Sequence, residues 1–168
     1  MMKNYIALFL MTLVIALSCK NQVVEKIADP AENTKKEKNA IIEVIRNETI
    51  AAFQRDYEAW QSNWIQKPYI SKTYINFADN SSSETLGWQK IDDFVRTYIQ
   101  EHPEPVPPPA QPEELEVRLY GSGAWVRYDI IDEVFGLKRE TRLMEKEDGQ
   151  WKIAGMHTTI YGFEKKEE

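Results

Sequence analysis

Residues 138–161, KRETRLMEKEDGQWKIAGMHTTIY, constrain this chain more than any other stretch, because Asp148-Gly149 separates two long runs of strand-forming residues. Gly tolerates positive φ, and Asp-Gly between such runs is the strongest short-range signal for a β-hairpin. The runs are long for strands, so the hairpin is expected to stand at the centre of an antiparallel sheet. A turn over 146–149 with Gly149 as a bulge predicts that Arg142, Met144, Ala154, Met156 and Thr158 share one face. Thr141, Leu143, Trp151, Ile153 and His157 then share the other; a plain two-residue turn pairs the strands differently.

The 168 residues amount to about one domain. Cys19 is the only cysteine, which excludes an internal disulfide and a CxxC site, and with two histidines in all a zinc site is not expected. Lys3 precedes an apolar run over 5–17, too short for the ~20 residues of a membrane-spanning helix and laid out as an export signal. Ala16-Leu17-Ser18-Cys19 resembles the lipobox of bacterial lipoproteins, which implies cleavage before Cys19 and acylation of it. The alternative is an ordinary cleaved signal with an incidental cysteine. Residues 1–18 are thus expected to be a signal peptide, 19–38 a polar tether, 39–163 the folded domain and 164–168 a charged tail. Export to the cell envelope follows, on the outer membrane or facing the periplasm. Losing residues 1–18 removes one cation, Lys3, and moves the net charge from −6 to −7. That balance argues against nucleic-acid binding, which needs a clustered basic surface.

From Asn39, apolar residues recur at three- or four-residue steps: Ile42, Ile45, Thr49, Phe53, Tyr57, Trp60 and Trp64. This predicts a helix, with Asp56 placed to cap a second segment and Pro68 to end it. Residues 69–79 read as a short strand or extended arm and 80–84 as a polar loop. Gly87 opens a third helix carrying Trp88, Ile91, Val95 and Tyr98 on one side. Residues 102–112 hold six prolines in eleven positions and form a stiff crossing, with a proline-recognition ligand as the functional alternative. Strands over 114–120 and 124–132 then lead into the hairpin. The order predicts an α+β fold with helices on one face of a curved sheet.

Gly121-Ser122-Gly123-Ala124-Trp125-Val126, Glu140-Thr141-Arg142-Leu143, Asp148-Gly149-Gln150-Trp151-Lys152-Ile153 and His157-Thr158-Thr159 carry a resemblance. In this order and spacing they resemble the SnoaL-like branch of the nuclear transport factor 2-like superfamily. The Glu-Thr-Arg and Asp-Gly-x-Trp spacing is also similar to the association domain of the calmodulin-dependent kinases. The resemblance implies a cone, with helices closing one end of a bent sheet around a cavity, and a homodimer through the sheet's outer face. It does not imply a chemistry, since the superfamily includes isomerases, dehydratases, cyclases, ligand binders and assembly modules. Ile131 and Thr158 stand where kinase association domains have arginine, so an arginine-rich anion site is not expected.

Arg142 is the first candidate site residue. A guanidinium among apolar groups needs a carboxylate or ligand oxygens, the structural alternative being an ion pair with Asp129. Tyr57, Trp60, Trp64 and Trp88 on the helices, Met144 and Met156 on the hairpin, and Trp125 and Arg127 on the preceding strand are candidate ligand-binding residues. Most of the helix rings are expected in the core, with one or two reaching the cavity. His157 and Asp129 are candidate bases for catalysis, with hydrogen-bonded or solvated roles as the alternative. Asp92-Asp93 is expected to be exposed. The chain reads as a membrane-anchored cone domain that binds a small, partly apolar ligand, with no cofactor or metal. An isomerase or dehydratase and a dimerising structural module are the alternatives.

Overall fold

The computed structural model describes residues 30–112 and 114–163, so the expected signal peptide, Cys19 and the charged tail lie outside the described residues. Helix α1 spans Pro30–Gln54. Proline suits a first helical turn, where its fixed φ fits and its missing N–H has no intrahelical acceptor to lose. The expected polar tether over 19–38 is therefore corrected for residues 30–38. They are helical, and Glu37 holds them to the sheet by accepting from Trp151 Nε1 at 2.6 Å and pairing with Lys146 Nζ at 2.6 Å. These turns are mostly exposed, which is why they show no apolar period.

The buried stripe of α1 is Ile41, Ile45, Glu48 and Ala51. It runs just beside the expected row through Ile42 and Thr49 and takes a carboxylate inside. Arg55, at φ 61°, ends the helix. Asp56 then caps α2 (Tyr57–Ser62) as expected, its carboxylate accepting from Ala59 N at 3.0 Å.

Six strands form one mixed sheet: β1 (Ser71–Asn76), β2 (Ser81–Leu86), β3 (Glu116–Tyr120), β4 (Gly123–Asp132), β5 (Gly136–Glu147) and β6 (Gln150–Gly162), with α3 (Trp88–Glu101) between β2 and β3. Their spatial order is β2-β1-β6-β5-β4-β3. The expected antiparallel meander is β3 to β6, and β1 adds to it in parallel beside β6. The expected polar loop over 80–84 is corrected: β2 runs through it as an exposed edge strand whose serines offer no apolar alternation. A polar edge of this kind discourages pairing with a further chain. Residues 103–112 cross without helix or strand, pinned where Val106 N donates to Phe53 O at 3.0 Å.

The hairpin register differs from the bulged-turn expectation. Glu147 pairs with Gln150, leaving a two-residue turn with Asp148 at φ 52° and Gly149 at φ 80°. Two positive φ values are what a type I′ turn requires. The extra residue sits inside β6 instead. Leu143 faces Gly155 while Met144 faces Ile153, so Ala154 is a β-bulge. Arg142, Met144, Met156 and Thr158 do share the inner face, but the bulge brings Trp151 and Ile153 onto it as well. Thr141, Leu143 and His157 face out. On its far edge the bulge also bonds the chain leaving α2: Ile153 N donates to Asn63 O and Ile65 N to Ile153 O.

The core lies between the helices and this inner face, around Ile41, Trp64, Ile65, Ile70, Ile91, Val126, Met144 and Ile153. Gly136 opens β5 at φ 71°, where a Cβ would come within 2.4 Å of the Gly162 carbonyl. Gly136→Ala is expected to cost about 2 kcal/mol through left-handed backbone strain and this clash, read as a lower urea midpoint with an unchanged slope.

Candidate functional site

Alternation along β5 places Glu140 and Arg142 on the inner face, and α1 brings Glu48 over them. Arg142 is 4% exposed, Glu48 5% and Glu140 6%. Arg142 Nε and Nη2 each lie 3.4 Å from Tyr128 Oη, as donors. Nη2 stands 3.8 Å from Glu48 Oε2 and 3.6 Å from Glu140 Oε2, too long for direct hydrogen bonds. Nη1 is buried with no hydrogen-bond partner among the described residues. A buried unpaired donor carries a desolvation cost that a ligand oxygen or a water would offset.

Each carboxylate has its own holder. Trp60 Nε1 donates to Glu48 Oε1 at 3.0 Å, and Thr158 Oγ1 lies 3.0 Å from both oxygens of Glu140. Burial pushes the Glu140 carboxyl above its ordinary range, against the opposing pull of Arg142 and Thr158. Burial also works against the Arg142 cation, and Tyr128, Glu48 and Glu140 outweigh it, so the guanidinium stays charged. Lys72 on β1 completes the cluster. It shares a row across three strands with Met156 and Arg142, since both pair with Met156. Its Nζ lies 5.1 Å above the ring of Phe94 on α3.

The expected site residues divide. Arg142 is buried in the cluster with Met156 beside it, and its ion pairs run to Glu48 and Glu140 instead of Asp129. Trp60 turns its indole N–H to the cluster and stacks on Trp88, with centroids 5.7 Å apart. Trp64 and Met144 are core residues, fully or nearly fully buried. Tyr57 points to α3, bonding Asp92 with its hydroxyl, and Arg96 lies 3.8 Å over its ring. Desolvation and the Asp92 carboxylate raise the Tyr57 phenol to about 12. Asp92, expected to be exposed, is buried by this contact and only Asp93 is exposed.

Trp125, Arg127 and Asp129 are corrected as cavity residues, because the apolar face of β4 turns inward and these point out, and His157 on β6 points out too, on the face expected for it. Asp129 pairs there with Arg139 at 2.8 and 2.9 Å, and Trp125 lies between Arg118 and Arg127. The outer face also holds an open groove of about 520 Å³ lined by Arg118, Tyr120, Trp125, Leu143 and Glu145. Glu48, Glu140, Lys72 and Tyr128 were not among the expected site residues. Glu140 two residues before Arg142 was the available signal, since that spacing puts both on one face of a strand.

No protein-family profile matches the chain, and no curated protein matches it. Solved structures do. One is a cystatin-like fold protein from Burkholderia xenovorans LB400, 18% identical, covering 79% of this chain and 97% of that one with a TM-score of 0.60. Another is an NTF2-like protein of unknown function from Pseudomonas putida KT2440, 16% identical over 74% and 87% of the two chains, TM-score 0.57. A third, an NTF2-like protein from Shewanella baltica OS155, is 17% identical over 74% and 93%, TM-score 0.53. At these identities the likeness shows the fold: helices packed on a curved sheet in the NTF2-like manner.

Proposed function

We propose that this domain binds a small, partly apolar molecule bearing an acceptor oxygen, held at Arg142 on the inner face of the sheet. The observation that carries this reading is Arg142 Nη1, buried beside apolar Met156 and without a hydrogen-bond partner among the described residues. Nη2 is taken up by Glu48 and Glu140, which leaves Nη1 as the donor a ligand oxygen would meet. Cys19, at the end of the export signal, anchors the domain to an envelope membrane by its acyl chain. Outward-facing Tyr120, Leu143 and Ile131, all more than half exposed, favour a second role for the outer sheet as a homodimer face. A base built on His157 or Asp129 draws no support from their outward positions.

Native mass spectrometry of the chain extracted from membranes tests these readings together. Expected are two copies per particle, an acyl mass that is lost in Cys19→Ser, and one retained small molecule per domain. Arg142→Lys keeps the charge but loses the planar fork, so it is expected to release that molecule. A wild-type domain that neither retains nor takes up any small molecule would refute the binding reading.

A further inference from the structure

We infer that Lys72 is a nucleophilic amine that condenses with the carbonyl group of a small aldehyde or ketone while Arg142 holds a second oxygen of the same molecule. This deepens the binding reading and rests on a ligand reaching the cluster.

The geometry begins with the row Lys72–Met156–Arg142 across β1, β6 and β5. Two strand spacings separate the ends of the row by about 10 Å at the backbone, a span two long side chains can close around a short ligand lying over Met156. Lys67, Lys138, Lys146 and Lys152 each pair with a carboxylate. The Lys72 side chain forms no hydrogen bond or salt bridge among the described residues, and its Nζ has the Phe94 ring for a neighbour. Lys72 is half-buried as a residue, and Phe94 beside its amine is 54% exposed. Desolvation lowers the Lys72 amine from its ordinary value, and the nearby Arg142 charge adds to this while Glu48 and Glu140 oppose it. A lysine desolvated next to another cation has the setting in which amines become nucleophiles.

The step balances without a further reagent. Neutral Nζ gives its lone pair to the carbonyl carbon, forming the N–C bond as the C=O π pair moves to oxygen. Proton transfer from nitrogen to oxygen gives the carbinolamine. Loss of that oxygen as water, carrying both original N–H hydrogens, leaves the C=N bond. Glu140, whose carboxyl burial pushes above its ordinary range, is the carboxyl group of the cluster that can pass a proton to the departing oxygen.

Hydroxyacetone, a small ketone with a second oxygen, serves as the probe, with sodium cyanoborohydride to reduce the imine and peptide mapping to locate it. The folded chain is expected to carry one adduct, on the peptide containing Lys72. Lys72→Met should lose that adduct with no other lysine replacing it, and unfolding in urea should abolish the preference. Equal labelling of many lysines, or a Lys72 no more reactive folded than unfolded, overturns the inference. A retained molecule in the native spectrum with no adduct at Lys72 removes the condensation and leaves the binding reading; absence of both removes the two together.

Discussion

Arg142→Met is expected to lower folding stability by about 3–5 kcal/mol, the scale seen when one partner of a buried ion cluster is removed. Methionine fills much of the same space, so the loss is electrostatic more than steric. Glu48 and Glu140 would be left buried, held by Trp60 and Thr158, with Lys72 and Lys138 as the nearby cations. The deficit should depend on pH in a definite direction. The Glu140 pKa is already raised by burial, and removing Arg142 withdraws an influence that lowers it. An acid whose folded pKa is raised contributes stability below its unfolded value, 4.5 here, and loses it as pH rises through the folded pKa. Urea midpoints should therefore show Arg142→Met closest to wild type near pH 5 and furthest from it near pH 8. The double variant Arg142→Met, Glu140→Gln should recover part of the loss at pH 8. A pH-independent deficit would show that the guanidinium acts through packing alone.

The same cluster shows where sequence reading reaches and where it stops. The hairpin, the meander and the third helix were legible because each has a local cause: two positive-φ turn residues, strand-forming runs, a 3.6-residue period. Ala154 was not, since a bulge depends on what the strand meets on both edges, and here one edge receives the chain from Asn63 to Ile65. The extra residue was foreseen and put in the turn; moving it into the strand changed the face of Trp151 and Ile153 and left Arg142 and Met156 in place. Glu48 was hidden for a related reason. A carboxylate at a core-facing helix position reads as surface until Trp60 and Arg142, far away in sequence, are seen to meet it. Trp125 and Arg127 were drawn toward the site by side-chain type, whereas burial of Ala124, Val126 and Tyr128 decides which way β4 faces.

Trp64→Ala is expected to match the first variant in size, with a loss of about 3–5 kcal/mol, and to act on the site from a distance. Trp64 is fully buried, its backbone bridges Ile153 at the bulge, and its ring lies 5.7 Å from that of Trp60. The hole left by the indole would open in the core cluster, beside the bridge that seats the bulge. Trp60 leans on the same ring and carries the donor to Glu48, so one of the two carboxylates paired with Arg142 would lose its holder as well. Trp64→Phe separates the two effects. It keeps most of the volume and removes an indole N–H that has no partner among the described residues, so it should cost well under half as much as alanine. Thermal melts should show a drop of roughly 10 °C for alanine and a few degrees for phenylalanine. Retention of the bound molecule in native spectra should fall with alanine and persist with phenylalanine. Equal, small effects from both would mean that the helices do not press on the bulge, and that Trp60 orients Glu48 without support from beneath.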